Sequence, residues 1–291
     1  MEDARKRIDE SLEQLATALE NGQSETLKRY LAVMGRFHRY SLGNQLLIAT
    51  QRPDATQVAG FHAWKRWGRW VKAGEHGISI VAPIVRKQRQ DDEANEEQRR
   101  RVVCFKGCRV FDVSQTDGKP LADFATVGGD PSEYLEQLKA FVASRGIGLT
   151  YTALSGALGL SAGGRIILRS GLTAAEEFST LAHELAHELL HKDKGITVAR
   201  NIRELEAEAV AFVVCQAIGL DTNTAASDYI QLYQGDRKLL MASLERVRAT
   251  AVEIIGAIKI SSTQAAPRVG DDNHADGVVI EVTPANLVKI A

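Results

Sequence analysis

The sequence predicts an α+β fold of two domains, a small mixed domain followed by a mainly helical one. Three observations carry that expectation. The chain has 291 residues, for which two hydrophobic cores are the natural division. Apolar residues at helical spacing give way to strand-like runs near 78–113 and then return to helical spacing. The second half is dominated by two consecutive helical patterns that carry nearly all of its histidine and much of its acid. The expected boundaries are 1–125, 130–260, and a linker with a loosely ordered tail at 261–291.

Residues 2–20 and 24–36 read as amphipathic helices broken at Asn21-Gly22, the second opening at Ser24. Ser41-Leu42-Gly43-Asn44 precedes an apolar helix from Gln45 to Thr50, which Arg52-Pro53 ends. Phe61 to Gly77 holds all three tryptophans, Trp64, Trp67 and Trp70. Ile78 to Val85 reads as a strand, and Arg101 to Val113 returns as its partner. Between them, 88–101 is a charged low-complexity loop. A helix ends near Phe141-Val142-Ala143, Gly148 to Tyr151 reads as a strand, and Arg165 to Arg169 as another, the expected free edge of its sheet.

The helix that follows contains His183-Glu184-Leu185-Ala186-His187. Thr173 and Glu176 form a Thr-x-x-Glu capping box at its start. Phe178, Leu181, Leu185, Leu189 and Leu190 supply its apolar stripe, Lys192 and Lys194 suit its carbonyl end, and Gly195 stops it. Residues i and i+4 share a helix face about 6 Å apart along the axis, so two imidazoles there can bind one zinc ion with Glu184 beside the activated water. His191 lies roughly 12 Å from His183 along the axis, too far for the same ion. Catalytic zinc usually takes three protein ligands. The next helix, Arg200 to Ile218 with Gly219 as its cap, offers Glu204 and Glu208 on one face, while Glu206 points elsewhere. Spacing alone leaves open which of Glu204 and Glu208 is the ligand.

The net charge of −1 hides an asymmetry. Residues 61–90 carry seven Lys/Arg against one Glu, whereas 171–230 carry ten acids against four bases. The basic stretch suits a polyanionic partner. Aromatic rings beside cations suit single strands, because bases stack on rings while cations track phosphates. Trp64, Trp67 and Trp70 at i, i+3, i+6 fit one packed helix face equally well. Cys104, Cys108 and Cys215 complete no zinc-ribbon pattern and read as buried thiols in a reducing compartment. The polar start is unlike a signal peptide, and no run of about 18 apolar residues offers a membrane span. The expected location is the cytoplasm, with no membrane partner.

His-Glu-Leu-Ala-His followed by Glu-x-x-x-Glu on the next helix resembles the gluzincin metallopeptidases. The resemblance implies Glu204 as third ligand and Glu208 as the acid that orients a zinc-bound histidine, with Glu208 on the metal as the open alternative. Ser41-x-x-Asn44, Phe61-x-x-Trp64, Gly74-Glu75-x-Gly77-Ile78-x-Ile80 and Val110-Phe111-Asp112-Val113-x-Gln115-Thr116 resemble the single-stranded-DNA-binding domain of the ArdC antirestriction family. Tyr229-Ile230 and a long helix to about Lys259 fit that family's zincin-like half. His-Glu-Leu-Ala-His-x-Leu-Leu-His with Glu208-Ala-x-x-Phe212 is also similar to the ImmA/IrrE peptidases. The chain departs from the usual ArdC pattern in its metal helix, and the insertion at 88–101 is its own.

These resemblances imply a zinc-dependent endopeptidase that also binds single-stranded DNA and serves an antirestriction or DNA-protection role on a mobile element. Zinc falls to His183, His187 and Glu204, catalysis to Glu184, and DNA contact to Ser41, Asn44, Trp64, Lys65, Arg69 and Lys72, with an unidentified protein as substrate. Two alternatives stand beside it: a protective DNA-binding protein with structural zinc, and an ImmA-like protease that cleaves one repressor.

Overall fold

The computed structural model describes residues 2–21, 24–87, 100–119, 131–191, 199–220 and 237–258. The expectations placed on 88–99, on the helix stop at Lys192 to Gly195, on Tyr229 and on the tail 261–291 lie outside the described residues. The chain opens with three helices, α1 (Glu2–Glu20), α2 (Ser24–Arg36) and α3 (Leu42–Gln51). Two compact units then divide it: residues 1–11 and 46–121 contribute to one, and 12–45 with 122–263 to the other.

The first unit contains β1 (Val58–Gly60), α4 (Phe61–Arg66), β2 (Arg69–Val71), β3 (Ile78–Lys87), β4 (Arg100–Asp112), a 3-10 turn (Val113–Gln115) and β5 (Thr116–Gly118). β4 lies between β1 and β3, antiparallel to both. β2 and β5 form a separate antiparallel ribbon. Ile78, Ile80 and Ala82 alternate into the core, as a one-sided strand requires.

A polar knot joins three of its loops. Asp112 is buried and accepts from the backbone N–H of Thr56 (2.8 Å), Gln57 (3.1 Å) and Ser114 (3.0 Å), and from the Ser114 hydroxyl (2.6 Å). Gln115 is fully buried; its amide donates to Glu75 (2.7 Å) and to the His76 carbonyl (2.9 Å), and its oxygen accepts from the Asp112 N–H (3.0 Å). The Asp-x-x-Gln and Gly-Glu-x-Gly motifs of this half are therefore used to satisfy buried backbone groups.

The second unit contains α5 (Pro131–Ser144), β6 (Gly148–Thr152), β7 (Gly159–Ser161), β8 (Arg165–Arg169), α6 (Ala174–His191), α7 (Arg200–Ala217) and α8 (Arg237–Ala257). The expected Thr173/Glu176 capping box is present at the start of α6. Glu177 in its first turn accepts from Tyr151 Oη of β6 (2.7 Å) and pairs with Lys139 of α5 (2.8 Å), which fixes that end of the helix. On α7, Glu206 is fully buried and accepts from Ser243 (2.7 Å) and Arg246 (3.0 Å) of α8. Gly35 lets α2 approach α7 closely, since a Cβ there would lie 2.8 Å from the Val213 carbonyl oxygen.

One expectation is corrected. Arg165–Arg169 is not an edge strand: β8 pairs with β6 in parallel and with β7 antiparallel, so it is the middle of its sheet. The signal overlooked was Gly159-Leu160-Ser161, too short to show alternation. β8 reads as a central strand in its burial, with Ile166 and Leu168 fully buried.

Candidate metal centre and nucleic-acid interface

The i, i+4 spacing on α6 sets the two imidazoles edge to face, with ring centroids 4.8 Å apart and Nε2 atoms 3.1 Å apart. α7 brings Glu204 to both: its Oε2 lies 3.7 Å from His183 Nε2 and 3.4 Å from His187 Nε2. One ligand atom from each of these three residues falls within 4.8 Å of the others, among the described residues the one such group. Glu208, one turn on, places Oε2 3.2 Å from His183 Nδ1. A carboxylate on Nδ1 holds the proton there and leaves the Nε2 lone pair facing Glu204. The donor set therefore fits a divalent metal, with His183 oriented in advance.

Electrostatics follow the geometry. Burial disfavours the charged form of His183, but the bond to Glu208 and the charges of Glu184, Glu208 and Glu204 outweigh it and raise its pKa above the ordinary value. Glu184 is buried, and that burial, aided by Glu204 and Glu188 against the pull of His183, lifts its carboxyl above the usual range. β7 lies directly against it. A Cβ on Gly159 would stand 2.7 Å from Thr180 Cγ2 and 2.8 Å from both Cγ and Oε1 of Glu184, so only glycine fits there. The Ser161 backbone N–H faces the Glu184 carboxylate, whose charged form it favours. Gly159, Ser161 and Glu188 were not singled out by sequence reasoning. The available signal was Glu188 itself, an acid at i+4 from Glu184 in an otherwise leucine-rich helix, which burial would oblige to find a partner.

The structure places the six DNA-contact candidates in different settings, with Trp64 and Asn44 buried and Lys65 and Lys72 exposed. Trp64 is fully buried, and its indole N–H donates to the Phe111 carbonyl (2.9 Å) while its ring meets Trp67 edge to face. It is a core residue and has no face for a base. Asn44 is also buried, at 5% exposure. Ser41 Oγ accepts the Asn44 N–H at 3.4 Å, at the start of α3. Arg69 is committed to the Thr116 hydroxyl (2.8 Å) and to the carbonyls of Thr116 (2.9 Å) and Lys119 (2.6 Å). Lys72 donates to the Ser114 carbonyl (3.0 Å) and remains exposed, as does Lys65. Among the described residues of the first unit, the large apolar aromatic side chains open to solvent are Trp70 at 55% and Phe61 at 49%. The packed-face reading of the tryptophans holds for Trp64 but not for Trp70, because α4 ends at Arg66 and Trp70 falls on β2 rather than on a third turn.

Cys215 is buried beside Glu208, and burial pushes its thiol up to about 12. It and Cys108 are free among the described residues. No helix of the described residues is long and apolar enough to cross a membrane.

Fold and site together define a two-domain α+β protein with a candidate metal site in its second unit. Family models match both halves of the chain. Residues 1–111 match the N-terminal domain of anti-restriction factor ArdC, and residues 136–234 match the IrrE N-terminal-like domain of peptidase family M78. An uncharacterized protein of Bacillus anthracis, pXO2-81, is 26% identical over 282 aligned residues, covering 79% of this chain. This chain spans 48% of that relative's length. The metal-free crystal structure of antirestriction protein ArdC from plasmid R388 is similar at 21% identity and TM-score 0.48, over 75% of this chain and 83% of that one. Its Mn(II)-bound structure is similar at 20% identity and TM-score 0.47, over 75% and 84%.

Proposed function

We propose that this protein is a single-stranded-DNA-binding metallopeptidase with an antirestriction or DNA-protection role. The observation that carries the reading is the convergence of His183 Nε2, His187 Nε2 and Glu204 Oε2 beside the buried carboxyl of Glu184. Two imidazoles and a carboxylate suit zinc, and the Mn(II)-bound R388 relative makes manganese the ion to test against it. When bound, such a metal lowers the pKa of its water and polarises the scissile carbonyl.

The chain's own groups divide the remaining work. His183, His187 and Glu204 supply the ligand atoms, and Glu208 holds His183 in the tautomer that exposes Nε2. Glu184 accepts the proton of the attacking water on its carboxylate and delivers it to the nitrogen of the leaving amine. The upward direction of its shift favours both halves of that transfer, since raising a carboxyl's pKa makes it a better acceptor for the proton it must later return. The protein substrate approaches beside β7, the edge strand against Glu184. In the first unit, Trp70 and Phe61 supply stacking surfaces while Lys65 and Lys72 meet phosphates, which replaces the stacking role expected of Trp64.

The test is elemental analysis of purified protein, wild type beside His187→Ala and Glu184→Gln, each with an oligo-dT titration and hydrolysis of fluorescein-labelled casein. The expected result is about one metal per chain in wild type and Glu184→Gln, none in His187→Ala, hydrolysis in wild type alone and DNA binding in all three. Hydrolysis by Glu184→Gln removes Glu184 from the mechanism, and no metal in wild type sinks the peptidase reading.

A further inference from the structure

A second buried carboxylate on α6 takes no direct part in the proton transfer above. Glu188 is 5% exposed and stands one turn after Glu184, so both acids leave the same side of the helix. Burying a carboxylate in a leucine-rich helix is costly unless it is hydrogen-bonded. Glu188 meets that need on the hairpin between β7 and β8: it accepts from Ser161 Oγ at 2.6 Å and from the Gly164 N–H at 2.7 Å. Gly163 and Gly164, both with positive φ, form the turn that presents this N–H.

Ser161 therefore touches both acids. Its hydroxyl donates to Glu188 and its backbone N–H faces Glu184. That N–H is available because Leu158 and Ala162 are the residues that bond to β8, through Arg169 and Arg165, and the alternation of an antiparallel pair turns Ser161 outward. At the other end of β7, Gly159 rests against the Glu184 side chain with no room for a Cβ. The rotamer of Glu184 is thus bounded by a hairpin, and the hairpin is anchored by Glu188.

We propose that Glu188 is a positioning residue for Glu184, holding the β7–β8 hairpin so that the Ser161 N–H aims the Glu184 carboxylate into the site. The proposal rests on the reading of Glu184 as general base. Its test has a readout independent of catalysis: amide hydrogen exchange of Ser161 and Gly164 in the whole 291-residue chain, by NMR. Glu184→Ala calibrates it, releasing the Ser161 amide while Gly164 stays protected.

In Glu188→Ala, both amides exchange at least about tenfold faster, Ser161 included although Glu188 does not touch its N–H. In Glu188→Gln, protection returns, because the side-chain carbonyl accepts from Gly164 and the amide donates to the Ser161 hydroxyl. Ser161→Ala removes the hydroxyl alone and releases the residue-161 amide without emptying the site of Glu188, so the test survives if Glu188→Ala folds poorly. Wild-type protection of Ser161 in Glu188→Ala, with Gly164 released, overturns the proposal. On fluorescein-casein, Glu188→Ala lowers kcat at unchanged KM and Glu188→Gln restores it; an equal rise in KM overturns the positioning role. Wild-type protein that holds metal but leaves casein intact counts against the peptidase reading, and the exchange pattern still decides the anchor.

Discussion

Glu208→Ala separates the two acids that α7 presents to α6. Glu204 faces the Nε2 atoms of both histidines, whereas Glu208 meets only Nδ1 of His183. Losing a carboxylate that orients a ligating imidazole costs about 10–100-fold in metal affinity. The Glu208 side chain is 31% exposed, so water can take its place on Nδ1. That puts the expected loss near the lower end, about tenfold or ~1.4 kcal/mol. Glu204→Ala instead leaves two imidazoles, which hold a divalent ion weakly, and the loss exceeds about 100-fold. Proton competition must be kept out of the comparison, because Glu208 also raises the His183 pKa. The raised pKa means that protons compete with metal up to a higher pH than at an ordinary imidazole, and apparent affinity climbs as pH rises through it. Competition titrations against a chromophoric zinc chelator at about pH 8 minimise that contribution. If Glu208→Ala abolishes stoichiometric binding while Glu204→Ala retains it within about tenfold, the assignment of the two acids is reversed.

Three further outcomes follow from the packing and charge of the two units. Gly35→Ala gains up to about 1 kcal/mol of helix propensity but forces a methyl to 2.8 Å from the Val213 carbonyl oxygen, an overpacking worth about 1–3 kcal/mol, so a lower urea midpoint is expected and a higher one would show that α2 and α7 yield freely. Trp70→Ala weakens oligo-dT binding by about 1–3 kcal/mol with the urea midpoint retained, while Trp64→Phe lowers the midpoint by stranding the Phe111 carbonyl; unchanged DNA affinity in Trp70→Ala removes that ring from the interface. Burial pushes the Asp112 carboxyl up, but the bonds from Ser114, Thr56 and Gln57 prevail and hold it below its ordinary 3.8. Its folded pKa being the lower one, its stabilisation is present above 3.8 and is lost as pH falls through the folded value. Asp112→Asn therefore flattens the acid limb of the urea midpoint, and parallel acid limbs would refute the assignment.

Much of the second unit was legible because its signals are local. Helix spacing set His183 and His187 on one face, the Thr173/Glu176 capping box opened α6, and Gly219 with φ +74 closed α7. The i, i+4 rule also separated Glu204 and Glu208, which face the histidines, from Glu206, which faces Ser243 and Arg246. In the first unit the same local reasoning located β3 and β4 but put Trp70 on the same helix face as Trp64. Residues i, i+3, i+6 share a face only if the helix continues, and α4 is too short for that.

By itself, then, the sequence determined which residues could chelate a metal and on which helices they sit, because a helix fixes its side-chain directions over a few residues. Only the tertiary structure decided that Trp64 is core and Trp70 is surface, that β8 is flanked on both sides, and that Gly159, Ser161 and Glu188 close around Glu184. Those outcomes depend on which backbone groups find partners across tens of residues, and pairing at that range leaves no periodicity in the chain.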